Sequence, residues 1–245
     1  MNPEEKRPAV GLAFAPTVQK GFTLLRKHGP VATAAVITSV IEDGYLRMFD
    51  RRYAVRTSGY LKLEDTSLGA DATKRGHRYR AVNAWAFKRV LAKLAPGKNL
   101  RFVDLGCGLG RACLLAAEYG FSRVRGVDMV PEFCTQAKDN AKVFAAAGKN
   151  YAPVEILQAD AVDYSLYSDD DIIFLYNPFP VSVLEAVVDN LIGQAGRRQQ
   201  PVFIIYSERI LETDRTLAAL RQKTALKPVL FHSSWGQAFH VFKVG

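Results

Sequence analysis

From residue 100 to the end of the chain, short apolar runs alternate with helix-like stretches, and this alternation restricts the fold more than any other feature. "LRFVDLG" reads as a strand, "GRACLLAAEYG" as a helix closed by Gly120, and "SRVRGVDM" as a second strand. Pro131 suits the first turn of a helix that runs to about Ala147. "PVEILQAD", "DIIFLYN" and "PVFIIYSE" supply three more strands, separated by the helical segments "VSVLEAVVDNLIGQ" and, after the last of them, "RILETDRTLAALRQK". "KPVLFHSS" and "AFHVFKV" close the chain as a hairpin through "WGQ". Such a chain builds an α/β fold: a doubly wound, seven-stranded, mostly parallel sheet with helices on both faces over residues 100–245. The hairpin contributes an antiparallel strand at or near one edge.

Residues 1–99 differ in character and read as a basic, mainly helical N-terminal extension. Its helical segments are "TVQKGFTLLRKHG", "VATAAVITSVIEDGYLRMFDRR" and "NAWAFKRVLAKLAPG"; residues 54–78 read as a loop long enough to have a function. The net charge of +9 resides wholly here, because residues 1–100 hold 18 Lys/Arg against 8 Asp/Glu and the remainder 15 against 16. Two runs concentrate it, "RMFDRRYAVR" (47–56) and "KRGHRYR" (74–80). Each run alone fits a solvated face; together they suit an acidic partner, either an acidic protein, nucleic acid or anionic lipid headgroups in peripheral contact. The longest apolar segment, residues 31–41, falls short of the roughly 20 residues of a membrane span. The N-terminus, MNPEEKRP, does not read as a signal peptide, and three cysteines without a CxxC pair suit a reducing compartment. A cytoplasmic protein without a metal centre is the expectation.

The first strand and helix are joined by "VDLGCGLGR" (103–111). Gly106, Gly108 and Gly110 allow a sharp turn and close approach of a ligand to the backbone. The helix behind them offers unpaired N–H groups to negative charge. Asp104, Asp128 and Asp160 end three successive strands at the carboxyl edge, where doubly wound sheets bind ligands. Any one of them also fits a loop cap. The separation of Asp128 from the glycines suits an acid that accepts ribose hydroxyls.

The motif "DLGCGLG" resembles the first motif of class I S-adenosylmethionine-dependent methyltransferases, and the likeness extends over residues 100–245. A nicotinamide-binding loop would need a glycine at position 111, where this chain has Arg. The resemblance implies S-adenosyl-L-methionine as cofactor. It places the methionine part on Asp104 and the loop Gly106, Cys107, Gly108 and Gly110, and the ribose on Asp128. Met129 would pack on the adenine, whose edge would be read by Asp160 and the Ala161 backbone.

In such a fold the fourth strand ends beside the transferable methyl group, so "NPFP" (177–180) would stand at the reaction centre. The segment is similar to the Asn-Pro-Pro-aromatic motif of amino-group methyltransferases, although its aromatic is third and its second proline follows. Asn-x-Phe is also similar to a stretch of the non-SET histone lysine methyltransferases. Both comparisons imply a nitrogen acceptor, oriented by the Asn177 carbonyl and the backbone at Pro178 and flanked by Phe179. A strand stop with an Asx turn explains the same letters. Tyr79 would line the acceptor pocket or serve packing, and Glu208 would face the acceptor or cap the next helix. His28, His77, His232 and His240 are scattered, and the acids 169–171 precede the fourth strand at its far end. The expected activity is N-methylation, with a protein lysine or other amine as first acceptor and nucleic acid second. O-methylation of a sugar or small metabolite, or a cofactor-binding module without catalysis, remain the alternatives.

Overall fold

A computed structural model describes residues 44, 46–58, 60, 61, 66–68, 74, 76, 79–97, 99–147, 150–165, 170–210 and 215–245. The expected helix at 17–29, much of the next one, and most of the 54–78 loop lie outside these residues, although residues 46–53 are helical.

The main sheet has seven strands, β1 (Arg101–Leu105), β2 (Arg123–Asp128), β3 (Val154–Gln158), β4 (Ile172–Tyr176), β5 (Val202–Arg209), β6 (Leu226–Ser234) and β7 (Gln237–Val244), and Tyr60–Leu61 pairs antiparallel with Tyr79–Arg80 in a separate two-stranded sheet. The seven lie in the order β3-β2-β1-β4-β5-β7-β6. The first five pair in parallel, and β7 runs antiparallel between β5 and β6. The closing hairpin thus inserts its second strand and leaves β6 at the edge. β5 extends to Arg209, which pairs with Gln237, so the start of the segment expected to be helical is strand; the helix there is Arg215–Gln222.

Alternate residues of each strand serve two cores, the period-2 geometry of a pleated sheet. Phe102, Val124, Phe174 and Phe239 pack with helices α1 (Ala84–Leu94), α2 (Arg111–Tyr119) and α3 (Pro131–Ala146). Val103, Val127, Ile173 and Ile204 pack with α4 (Val181–Ala195) and α5 (Arg215–Gln222). Both faces of the central strands are covered, which is why β4 reads as an unbroken apolar run.

Phe49, Tyr53 and Val55 share the first core with Phe87 of α1 and Phe102 of β1, and Asp43–Gly245 form one compact unit. α1 begins where Asn83 accepts hydrogen bonds from Trp85 N and Ala86 N, and its apolar face (Ala86, Phe87, Val90, Leu91) is buried. No described helix is long and apolar enough to cross a membrane.

Candidate functional site

The glycine loop turns back over the end of β2. Gly106 N and Cys107 N both donate to Val127 O (2.8 and 3.0 Å), and Gly108 N donates to Asp128 Oδ2 (2.8 Å). Gly106, Gly108 and Gly110 all have positive φ (84°, 52° and 83°), a region side chains disfavour. Space forbids side chains too. A Cβ at Gly106 would come within 2.5 Å of Pro178 Cβ, and one at Gly108 within 2.1 Å of Tyr79 Cδ2. At Gly110 the neighbour is Ala137 of α3, at 3.3 Å, so this glycine serves helix packing.

Asp128 holds the loop with one oxygen and Val130 N (2.9 Å) with the other. Burial raises its pKa above the ordinary carboxylate range, opposed by the N–H groups of Val130, Gly108 and Met129. The carboxylate has acceptor capacity left for a ligand. Asp104 is less well supplied. It is buried, its Oδ2 meets the Cys113 thiol at 3.9 Å, and its Oδ1 has no hydrogen-bond partner among the described residues. Burial, and then the Asp128 charge, push its pKa well above the usual range. A buried carboxylate oxygen without a donor invites a cationic ligand group.

Two cavities open on this carboxyl edge. The larger is lined by Tyr79, Gly106, Gly108, Asp128, Met129, Asp160, Ala161, Pro178 and Phe179, all anticipated from the sequence, with Arg80 and Phe133 besides. The smaller holds Asp104 and Cys107, with Val82, Arg111 and Tyr176. Tyr79, Arg80 and Gly106 belong to both and form the wall between them. Asp160 Oδ1 accepts from Val162 N (3.0 Å) and caps the short helical turn Ala161–Asp163, so it has a structural task within the cavity wall.

Asn177 ends β4 in a left-handed conformation (φ 37°), and its Oδ1 accepts from Tyr206 Oη at 3.2 Å. Pro178 and Phe179, rather than Asn177, reach the cavity lining. Glu208 Oε1 lies 3.4 Å from His240 Nε2 at the end of β5, and His232 Nε2 is 3.1 Å from Ser234 Oγ; none of these lines either cavity. His28 and His77 lie outside the described residues.

Tyr79 covers Gly108 with its ring, and its hydroxyl donates to Thr57 O (2.7 Å). Burial raises its pKa, so the phenol keeps its proton. Thr57 belongs to a network that the sequence did not disclose. Arg111, the residue after the loop, is buried; its Nε donates to Thr57 Oγ1 (2.7 Å) and its Nη2 to Leu46 O and Asp50 Oδ1 (both 2.9 Å). Asp50 also accepts from Thr57 N and Ser58 N (2.9 and 2.7 Å). The residues of the helical stretch that face away, Arg47, Met48, Arg51 and Arg52, are exposed, as are Arg56 and Lys74; Arg75, His77 and Arg78 lie outside the described residues.

The profile of a family described as methyltransferase domain matches residues 96–232. Over 52 residues the chain is 42% identical to a tRNA U34 carboxymethyltransferase of Saccharophagus degradans, a match that takes in 21% of this chain and 16% of that protein's length. Among solved structures, TrmN from Thermus thermophilus superposes with a TM-score of 0.53 at 15% identity, covering 67% of this chain and 49% of that one. A ribosomal protein L11 methylase from Lactobacillus delbrueckii subsp. bulgaricus superposes with a TM-score of 0.50 at 16% identity, covering 64% and 76%. At these identities the structures share the fold.

Proposed function

Since the chain belongs to the methyltransferase domain family, we propose that it transfers a methyl group from S-adenosylmethionine to a nitrogen acceptor. The observation that carries the cofactor assignment is the buried Asp104 Oδ1, unpartnered among the described residues, beside a loop whose glycines leave room only for backbone. An α-ammonium group supplies the missing donor. Arg80, in the wall shared by both cavities, is the cation placed to take the α-carboxylate. The larger cavity then takes the nucleoside, with ribose hydroxyls on the Asp128 carboxylate and adenine against Met129, Asp160 and Ala161.

S-adenosylmethionine supplies a methyl group on a sulfonium; the acceptor nitrogen gains it as the C–S bond breaks, and the nitrogen loses a proton. Such a displacement needs alignment above all. Pro178 packs on Gly106, which ties the 177–180 segment to the cofactor loop. The Tyr206 hydroxyl donates to the Asn177 carboxamide oxygen and so orients that side chain where the segment leaves β4. An amine on a protein or small molecule fits this arrangement. An amine of nucleic acid is the second reading, favoured by the exposed arginines of residues 47–56 and by the tRNA-modifying relative.

S-adenosylhomocysteine should raise the melting temperature, and Asp128→Ala should abolish that shift. A shift given instead by a nicotinamide dinucleotide would sink the assignment. Asn177→Ala should leave affinity for S-adenosylhomocysteine near wild type while the rate with an accepted amine falls by roughly 10². An unchanged rate would reduce the segment to a strand stop.

A further inference from the structure

Both tryptophans of the chain, Trp85 and Trp235, meet on the carboxyl edge of the sheet. Trp85 stands in the first turn of α1, and Trp235 in the turn between β6 and β7; their ring centroids lie 5.6 Å apart at 79°. A buried chain of hydrogen bonds pins the two elements together. Asn83 N donates to Gln237 Oε1 and Gln237 Nε2 to Ser207 Oγ, both at 3.1 Å. Val82, three residues before Trp85, lines the smaller cavity. The segment that leads into α1 and carries Trp85 therefore starts from the wall of the cavity that holds Asp104 and Tyr176.

Three features set this pair apart from ordinary packing. Trp85 is 39% exposed, although an indole of its size is usually well covered. Trp235 and Gly236 both have positive φ (54° and 71°), the geometry of a tight hairpin turn that favours Asn or Gly at its first position. An indole there accepts backbone strain to occupy the turn, and strain of this kind clusters at functional positions. Finally, Arg89 lies with its guanidinium carbon 3.7 Å from the centroid of a Trp85 ring, and Lys93 follows one turn further along the exposed face of α1. Lys88 pairs with Glu118, whereas no carboxylate among the described residues pairs with Arg89 or Lys93. Burial, and then the positive charges of Lys93 and Arg89, lower the pKa of His232.

We propose that Trp85, Trp235, Arg89 and Lys93 form a docking platform for a single-stranded nucleic acid that carries the acceptor amine. This rests on the methyltransferase reading of the adjoining site and develops its second acceptor, an amine of nucleic acid. Bases stack on indoles without regard to sequence, and phosphates take the cations, the combination by which single strands are held. An acidic peptide would use the cations alone and leave the indoles and the strained turn without a purpose. A duplex keeps its bases stacked internally, so the platform should discriminate against it.

The chain carries its own probe, because all tryptophan fluorescence arises from this pair. Titration of the full chain with an oligouridylate of about 20 nucleotides should quench that emission to saturation. The affinity should fall with salt at a slope near −0.7 per neutralised phosphate, or about −1.4 for two cations. The same length of duplex RNA and a polyglutamate peptide should bind at least about 10-fold more weakly. Measured by anisotropy of a labelled strand, Trp85→Ala should lose roughly 10- to 100-fold in affinity and Trp85→Phe much less. The double variant R89E/K93E should lose about 10-fold and flatten the salt slope. Each variant should bind S-adenosylhomocysteine as the wild type does, which shows it folded. Absence of quenching in a protein that binds S-adenosylhomocysteine overturns the platform and leaves the methyltransferase reading intact. Equal quenching by polyglutamate overturns it in favour of an acidic protein, and equal binding of duplex overturns the stacking argument.

Discussion

Replacing Asp104 by Asn should make the ligand-free protein more stable and the cofactor bind worse. The carboxylate is buried, one oxygen has no donor among the described residues, and its neighbour Asp128 carries the same charge. Leaving a buried polar group unsatisfied costs about 1–3 kcal/mol, and more when it is charged. Asn keeps the shape but removes the charge, so about 1–3 kcal/mol should be recovered at neutral pH. For a domain of this size that is a rise in Tm of roughly 2–4 °C per kcal/mol. The pH dependence fixes the cause. A carboxyl group whose pKa is raised by folding binds its proton more tightly in the native state. Its contribution to stability is then best at low pH and declines as pH rises from the unfolded value, about 3.9, to the raised folded value. The Asn variant lacks that decline, so the gap in Tm between variant and wild type should widen with pH over this window. Affinity should move the other way. S-adenosylhomocysteine should bind the variant about 10- to 100-fold more weakly, the worth of one charge-assisted hydrogen bond. Wild-type affinity should also climb with pH as Asp104 ionises, and that climb should vanish in the variant. Calorimetric titration and thermal melts from pH 4 to 8 measure all of this. A variant that melts lower than wild type at neutral pH, with unaltered affinity, would refute the reasoning.

Arg80→Ala should weaken S-adenosylhomocysteine by about 10- to 100-fold and leave 5′-methylthioadenosine, which lacks the amino-acid end, unchanged; equal loss of both would remove Arg80 from the carboxylate. Gly108→Ala should destabilise by at least about 1–2 kcal/mol, since alanine resists positive φ there and its Cβ meets the Tyr79 ring. Adding Tyr79→Ala should recover the part due to the clash, as denaturant melts would show. Arg111→Met should cost about 3–5 kcal/mol by stranding Asp50, and the double variant with Asp50→Leu should cost less than the two separate changes combined. A single-variant Tm within a degree or two of wild type would mean that the buried pair does not hold this segment down.

The sheet was legible because its strands are covered on both faces and follow a periodicity that few other folds share. β4 is the clearest case, an apolar run whose end is marked by Asn177 and two prolines. That the candidate site residues would gather at one place was legible for a similar local reason. Gly106, Gly108, Asp104 and Asp128 lie within one strand–turn–helix–strand unit, so sequence order nearly gives spatial order. Asp170 and Asp171 lie before β4 at the far end of that strand, as the sequence indicates, and Asp169 is outside the described residues. Asp170 accepts from Arg125 and Tyr164, and Asp171 meets Arg101 and Arg198. Arg209 was misjudged because helix-like composition does not show that a strand will find eight partners on β7.

Arg111 shows what local reading leaves out. In the sequence it counts only as the residue that spoils a nicotinamide fingerprint, and the arginines around Asp50 count only as surplus charge. In the fold Arg111 is hydrogen-bonded by a segment more than 50 positions earlier. A buried guanidinium needs partners for its donors, and those of Nε and Nη2, namely Thr57, Leu46 O and Asp50, all come from that one segment, while Nη1 has no hydrogen-bond partner among the described residues. Thr57 in turn receives the Tyr79 hydroxyl, so the ring over Gly108 is anchored by the same residues. The basic N-terminal region therefore has two faces with different work. Its inward residues anchor Tyr79 in the wall of the candidate site, and Arg47, Arg51, Arg52 and Arg56 carry the positive charge outward. Composition sums the two faces into one number, and only the packing around Arg111 separates them.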